Sequence, residues 1–432
     1  MKRLAYFKLL EWKQNKSRKP LLLQGARQTG KTYLLREFGE KEYADFAYFN
    51  FEETPELKSL FLKDLNPHKL VESLSVYRSK TIAPDNTLIF FDEIQECPRA
   101  LTGLKYFCEQ APEFHVVAAG SLLGVSVGKT SSFPVGKVSF MTLYPLNFIE
   151  FLMVSQEETL LQLLLQKKDL APLEAIIHEK LMGLFRKYLY LGGMPEVVKT
   201  YLETNELPEA REIQREILKA YEKDFSKYTT PVQAVRISEI WQSIPSHLSR
   251  ENKKFKYSTI RKGGRASQFE SAIEWLRGAG LLYIAMNVTT AKIPLSGYRD
   301  PSRFKAYLFD CGLLGALIDV PAKTLLLNDS AFSEYNGAFT ENFVASELAQ
   351  KHEGILHYWL SEGVAEVDFL IMDGEKILPL EVKSGINRNT KSLRIYQEKF
   401  HPRKIYRISA RNFEGREDLV NLPLYAASLL PL

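Results

Sequence analysis

The sequence predicts an α/β fold with a parallel sheet, and two observations in its first 150 residues carry that prediction. Short β-rich runs alternate with longer helical patterns, as strands and crossover helices do in a parallel sheet. One of the runs, Leu21 to Leu23, passes through a glycine-bearing turn directly into the helical pattern Tyr33 to Phe38.

The predicted strands of this first region (1–150) are Pro20 to Gln24, Phe46 to Phe51, Thr87 to Phe91, Phe114 to Ala119 and Val138 to Leu143. From about Pro145 to Tyr228 the pattern is helical, broken by the turn signal Gly192-Gly193-Met194-Pro195, and residues 151–230 are expected to form a helical lid. Over 231–310 the order is helix, basic loop, helix Ser267 to Arg277, a stop at Gly280, then strands near Leu281 to Ile284 and Lys305 to Phe309. Helices followed by two strands suggest a winged helix. Residues 311–432 mix a helix from about Phe339 with strands Val367 to Ile371 and Ile377 to Lys383.

With 432 residues, 45% of them hydrophobic, the chain has material for about three ordinary domains. No apolar run approaches the roughly 18 residues of a membrane span, and the basic N-terminus lacks a secretory signal's apolar stretch and cleavage site. Cys97, Cys108 and Cys311 have no metal-type spacing and form no disulfide framework. A cytoplasmic protein without a membrane span is the expectation. The net charge of +5, from 57 basic and 52 acidic side chains, says little by itself. Its distribution says more: Arg250, Lys253, Lys254, Lys256, Arg261, Lys262 and Arg265 face only Glu251 within one segment. Such a patch suits the phosphates of DNA, while a solvated basic loop is the structural alternative.

Gly25-Ala26-Arg27-Gln28-Thr29-Gly30-Lys31-Thr32 fits the Walker A, or P-loop, pattern between a strand and a helix. Its glycines let backbone N–H groups turn toward the phosphates of ATP, and the helix N-terminus adds positive partial charge. Lys31 is expected at the β- and γ-phosphates and the Thr32 hydroxyl on Mg2+. Thr87 to Phe91 runs into Asp92-Glu93, a Walker B pattern, with Asp92 expected to help hold Mg2+ and Glu93 to polarise the attacking water. An acidic turn after a buried strand is the plainer alternative.

In the strand Ile377 to Lys383, Leu378, Leu380 and Val382 fall on one face, which puts Glu381 and Lys383 on the other. Likewise Val367, Phe369 and Ile371 leave Glu366 and Asp368 together. Glu341 lies in line with Val344, Ala345 and Leu348 on an inward-facing helical stripe, where a carboxylate needs a partner or an ion.

The motifs in order are Lys19 to Thr32, Phe91 to Gln95, Ala119-Gly120-Ser121, Leu191 to Glu196, Tyr221 to Asp224, Phe309 to Leu313, Glu366 to Phe369 and Leu380 to Ser384. Over nearly the whole chain this resembles a family of prokaryotic AAA-type P-loop ATPases whose C-terminal part was catalogued as a domain of unknown function with a nuclease-like core. The resemblance implies an ATPase using ATP and Mg2+, with Ser121 in the sensor position. It also implies a basic residue supplied by a neighbouring subunit of a homo-oligomer, for which Lys137 is the match. A lysine there offers a point charge rather than a bidentate fork. At the C-terminus, Glu341, Asp368, Glu381 and Lys383 resemble a PD-(D/E)xK nuclease arrangement, with Asp368 and Glu381 as Mg2+ ligands. Two readings stay open: an ATPase controlling a nuclease-like domain on nucleic acid, and a regulatory switch ATPase whose vestigial nuclease fold only binds. A membrane-surface protein using the basic N-terminal helix is a third.

Overall fold

The computed structural model describes residues 1–121, 135–227, 229–249, 254–326, 333–361, 365–385 and 391–430. Contacts divide the chain into two units, Met1–Tyr144 with Gly278–Gly280, and Pro145–Arg277 with Leu281–Leu432.

In the first unit β1 (Leu21–Gly25), β2 (Asp45–Asn50), β3 (Thr87–Asp92), β4 (His115–Ser121) and β5 (Ser139–Thr142) form a sheet in the order β2-β3-β4-β1-β5. All four pairings are parallel. β3 and β4 are buried at every position, as strands covered on both faces must be. Their side chains alternate between two cores. Ile89, Phe91, Val116 and Ala118 pack on the side of the helix Pro98–Gln110, through its Leu101, Leu104 and Phe107. Leu88, Phe90, Val117 and Ala119 pack on the side of the helix Lys31–Glu42, through its Leu34, Leu35 and Phe38.

In the second unit, helices Phe148–Val154, Glu158–Leu165, Ala175–Leu191, Pro195–Thr204 and Leu207–Lys227 fill much of the stretch expected to be helical, and Pro231–Leu248 is the helix expected to open the next segment. The Gly192-Gly193 turn has a physical reason. Gly192 takes φ +71°, where a Cβ would lie 2.2 Å from Asp310 Oδ1, and a Cβ on Gly193 would lie 2.0 Å from the Leu146 carbonyl oxygen. Gly193 N–H donates to Asp310 Oδ2 at 2.7 Å, and Asp310 also caps the helix Cys311–Leu317 through Leu313 N–H.

Three expectations for the C-terminal half change. The predicted pair of strands extends to β6 (Leu282–Val288) and β7 (Arg299–Leu308), and is no isolated wing. β6 also pairs in parallel with β8 (Ile355–Leu360), which pairs with β9 (Glu366–Val367), giving a sheet ordered β7-β6-β8-β9. β6 is almost wholly buried, so its second edge needs a backbone partner. The single strand expected over Val367 to Ile371 is instead split into β9 and β10 (Phe369–Asp373). Asp368 sits at the break, where its Oδ2 accepts the Val382 N–H at 2.8 Å in place of a strand carbonyl. β10 then pairs antiparallel with β11 (Lys376–Lys383), followed by β12 (Ile405–Ser409), β14 (Leu419–Pro423) and β13 (Glu414–Gly415) in the order β10-β11-β12-β14-β13. The helix preceding β8 is Ser333–Lys351, longer at its start than expected. Among the described residues no helix is long and apolar enough to cross a membrane.

Candidate nucleotide site and C-terminal charge cluster

The loop Gly25 to Thr32 leaves the C-terminal end of β1 and enters the helix Lys31–Glu42. Gln28 and Gly30 take left-handed backbone angles (φ +62° and +90°), and a Cβ on Gly25 would lie 2.3 Å from the Leu143 carbonyl oxygen. The Thr29 hydroxyl donates to the Ala26 carbonyl at 2.9 Å, closing the loop on itself. Lys31 Nζ donates to the Gly25 and Ala26 carbonyls at 3.1 and 2.8 Å, which aims the ammonium into the loop. Burial pulls its pKa down to about 8 against the opposing pull of Glu93 and Asp92.

Asp92 ends β3 two strands from β1, and the side chains bridge that gap. The Thr32 hydroxyl donates to Asp92 Oδ2 at 2.9 Å and the Tyr48 hydroxyl to the same oxygen at 3.0 Å, while Glu93 N–H donates to Oδ1 at 3.0 Å. A hydroxyl and a carboxylate side by side are the hard oxygen donors that Mg2+ prefers, so these residues fit that ion. Glu93 has left-handed angles and receives the Gln95 side-chain amide on Oε2. Ser121 ends β4 in register beside Gly25. Lys137 pairs within its own chain, 3.0 Å from Glu109 Oε1.

At the C-terminus the four predicted residues separate into two linked groups. Lys383 Nζ lies 2.7 Å from Glu381 Oε1, as the strand alternation requires. Burial lowers the Lys383 pKa, and Glu381, Asp368 and Glu341 outweigh it and raise it. Glu341 and Asp368 instead turn to Lys305 on β7, a residue the sequence reading did not single out. Its Nζ lies 2.9 Å from Glu341 Oε1 and 3.5 Å from Asp368 Oδ1, and it also pairs with Glu366. The Tyr307 hydroxyl donates to the same Glu341 oxygen at 2.6 Å, and the ammonium sits 5.1 Å from the centre of the Tyr358 ring. Lys305 is 0% exposed. Burial lowers its pKa, but Glu341, Tyr307, Glu366 and Asp368 raise it well above the usual lysine value, so the group is charged.

This arrangement does not fit a Mg2+ ion shared by Asp368 and its neighbours, because three of the carboxylates already converge on an ammonium. Among the described residues no three His, Cys, Asp or Glu side chains stand together as metal ligands.

In the basic segment, Lys253 lies outside the described residues, as does Arg250. Lys256 and Lys262 are exposed, Lys254 is half-buried, and Arg261 pairs with Glu239. The helix Ala266–Gly278 buries Phe269, Ile273, Trp275 and Leu276 and leaves Glu270 and Glu274 exposed, so its outer face carries acids as well as Arg277.

Residues 17–152 match the model of an AAA domain. The N-terminal region is a P-loop AAA-type ATPase domain. Residues 182–324 and 336–425 match two domains of unknown function, DUF8612 and DUF4143. The chain is 23% identical over 420 residues to the uncharacterized protein MJ1544 of Methanocaldococcus jannaschii, covering 92% of this chain and 83% of that one. Among solved structures it is similar to the Walker-type ATPase PABY2304 of Pyrococcus abyssi (TM-score 0.45, 15% identity, 72% of this chain and 94% of that one). It is also similar to the ORC1 protein of Aeropyrum pernix in complex with DNA (TM-score 0.30, 14% identity, 74% and 93%).

Three groups of the ATPase domain escaped the sequence reading. Tyr48 on β2 donates to Asp92, receives Asn50 Nδ2 at 3.1 Å, and is covered by the Arg36 guanidinium 4.0 Å from its ring centre. Gln95, quoted only as part of a motif, holds Glu93. Arg3 is buried and joins the loop to the end of the domain, donating to the Thr29 carbonyl at 3.1 Å and the Tyr144 carbonyl at 2.6 Å. The Tyr48 signal was present in the alternation of β2; nothing local marks Arg3.

Proposed function

We propose that the chain is an ATP-driven switch in which the ATPase domain controls a nuclease-like C-terminal fold that holds nucleic acid without cutting it. The helical segment 151–230 is kept as a lid in this proposal, while the wing expected in 231–310 and the boundary at 310 are given up, because β6 joins β8 across that boundary. In it, the N–H groups of Gly25 to Thr32 and the Lys31 ammonium receive the phosphates of ATP. Thr32 and Asp92 would hold Mg2+, which neutralises charge developing on the transferred phosphate. Glu93 accepts the proton of the attacking water, with Gln95 fixing its carboxylate, and Ser121 bonds the terminal phosphate or that water.

The observation that carries the binding-only reading is Lys305. Cleavage through Asp368 and Glu381 needs carboxylate oxygens available to a divalent ion, and Lys305 commits Glu341, Glu366 and Asp368 to itself. Nucleic acid as the partner rests on the exposed cations Lys256 and Lys262 and the half-buried Lys254, with Lys253 next to it in the sequence.

A second reading, an active nuclease, has one observation in its favour. Among the described residues Glu381 Oε2 is buried without a hydrogen-bond partner beside Lys383, as a ligand oxygen would be. Incubating the purified protein with plasmid DNA and Mg2+, with and without ATP, separates the two. Intact plasmid is expected. Nicked or linear product that vanishes in Glu381→Gln would establish the nuclease instead.

A further inference from the structure

The second unit contains a cleft whose lining shares no residue with the carboxylate cluster. Its walls are the β10–β11 turn, the end of the helix Lys391–Phe400 with the loop that follows, and the loop before β7. The volume is about 710 Å³, large enough for a sizeable ligand segment. The cleft takes in the start of β11, Lys376 to Leu378, and reaches Tyr406 beside Leu380, while Glu381 and Lys383 close the strand.

Two features of the lining belong together. Tyr298, Phe400 and Tyr406 are half-buried aromatic residues on three different segments of the wall. Phe400 is held in place by packing 5.5 Å from Trp359 and 4.8 Å from Tyr396, ring centre to ring centre. Around these rings stand Lys292, Lys376, Arg403 and Lys404, all exposed. None of the four has an ion-pair partner among the described residues, whereas the cations of the carboxylate cluster are all paired. Asp373 and Glu375 at the turn offset only part of that charge.

Aromatic faces interleaved with uncommitted cations suit a chain of flat bases joined by phosphates. An acidic peptide would use the cations and leave the rings without a role, and a duplex hides its base faces in the stack. We propose that this cleft binds a single-stranded segment of nucleic acid, with bases against Tyr298, Phe400 and Tyr406 and phosphates at the four cations. The proposal rests on the reading that the second unit holds nucleic acid, and it assigns the single-strand contact to the cleft residues and not to the cations of the segment 250–265.

The test is fluorescence anisotropy of a short labelled oligothymidylate with the full-length protein. In the Lys376→Ala/Arg403→Ala/Lys404→Ala variant, affinity is expected to fall about tenfold or more, with a salt slope shallower by about two, since each phosphate contact on a single strand contributes about 0.7. Tyr298→Ala should weaken binding and Tyr298→Phe restore it, because the ring and not the hydroxyl does the stacking. ATP turnover and the thermal unfolding profile should match the parent in all three variants, which checks that both units fold. Oligothymidylate binding that is unchanged in the cleft variants but lost on replacing Lys254, Lys256 and Lys262 would overturn the cleft and leave nucleic-acid binding intact. Absence of binding to any nucleic acid by the parent protein would overturn the underlying reading as well. Equal competition by polyglutamate or by a hairpin duplex would overturn the single-strand assignment.

Discussion

Lys305 Nζ lies 2.9 Å from Glu341 Oε1, joining strand β7 to the helix Ser333–Lys351 in the interior of the second unit. With Glu366 and Asp368 it turns what the sequence presents as a candidate metal site into an ion cluster with its own cation. Lys305→Met should therefore destabilise the second unit by about 3–5 kcal/mol, because Glu341 is left buried beside uncompensated carboxylates. Denaturant titration checks this. An undiminished midpoint would mean that the cluster does not need the ammonium.

In the proposed nucleotide site, Lys31 should set the pH response of binding. Its pKa of about 8 in the nucleotide-free protein is depressed by burial, and the phosphates of ATP favour the charged form. ATP affinity should be level below pH 7 and decline as pH rises above about 8, with proton uptake on binding near pH 9. Calorimetry in buffers of different ionisation enthalpy measures that uptake. Zero uptake at pH 9 would mean that Lys31 is already fully charged there.

Arg3 ties the Thr29 carbonyl of the phosphate loop to the Tyr144 carbonyl at the end of the same unit. Arg3→Ala leaves both acceptors without their charged donor, at about 1.5–3 kcal/mol for each bond to a charged group. A lower melting temperature and a several-fold rise in KM for ATP are expected, with kcat less affected. Wild-type values of both would show that the loop holds its shape unaided.

The basic segment should give affinity without sequence preference. Replacing Lys253, Lys254 and Lys256 together is expected to weaken duplex DNA binding uniformly and flatten its salt dependence by about 0.9 per lost phosphate contact. A filter-binding series across salt concentrations reads both. Salt-independent binding would rule out phosphate contacts there.

What could be read from the sequence was what local chemistry dictates. A phosphate loop must be contiguous and lie between strand and helix, and Gly25 to Thr32 is so placed. The parallel sheet was legible from its apolar runs, and Asp310 was legible only as part of a motif. Its bond to Gly193, 117 positions away, explains why a glycine pair and an aspartate occur where they do. Lys305 was illegible because nothing near it reveals that a carboxylate 36 positions later will meet it. The split at Asp368 was hidden for a related reason. Alternation continues unbroken through it, and only the N–H of Val382, 14 positions on, makes the break favourable.

In the proposed switch, ATP occupancy controls the hold on nucleic acid and Glu93 is the group that ends the occupied state. The most direct measurement is the affinity of the Glu93→Gln protein for oligothymidylate, with and without ATP and Mg2+, beside the parent protein. An amide cannot take the proton from water, so the variant should bind ATP, fail to turn it over, and keep an ATP-dependent shift in affinity that decays in the parent as ATP is consumed. Normal turnover by Glu93→Gln, or an affinity indifferent to ATP in both proteins, would contradict it.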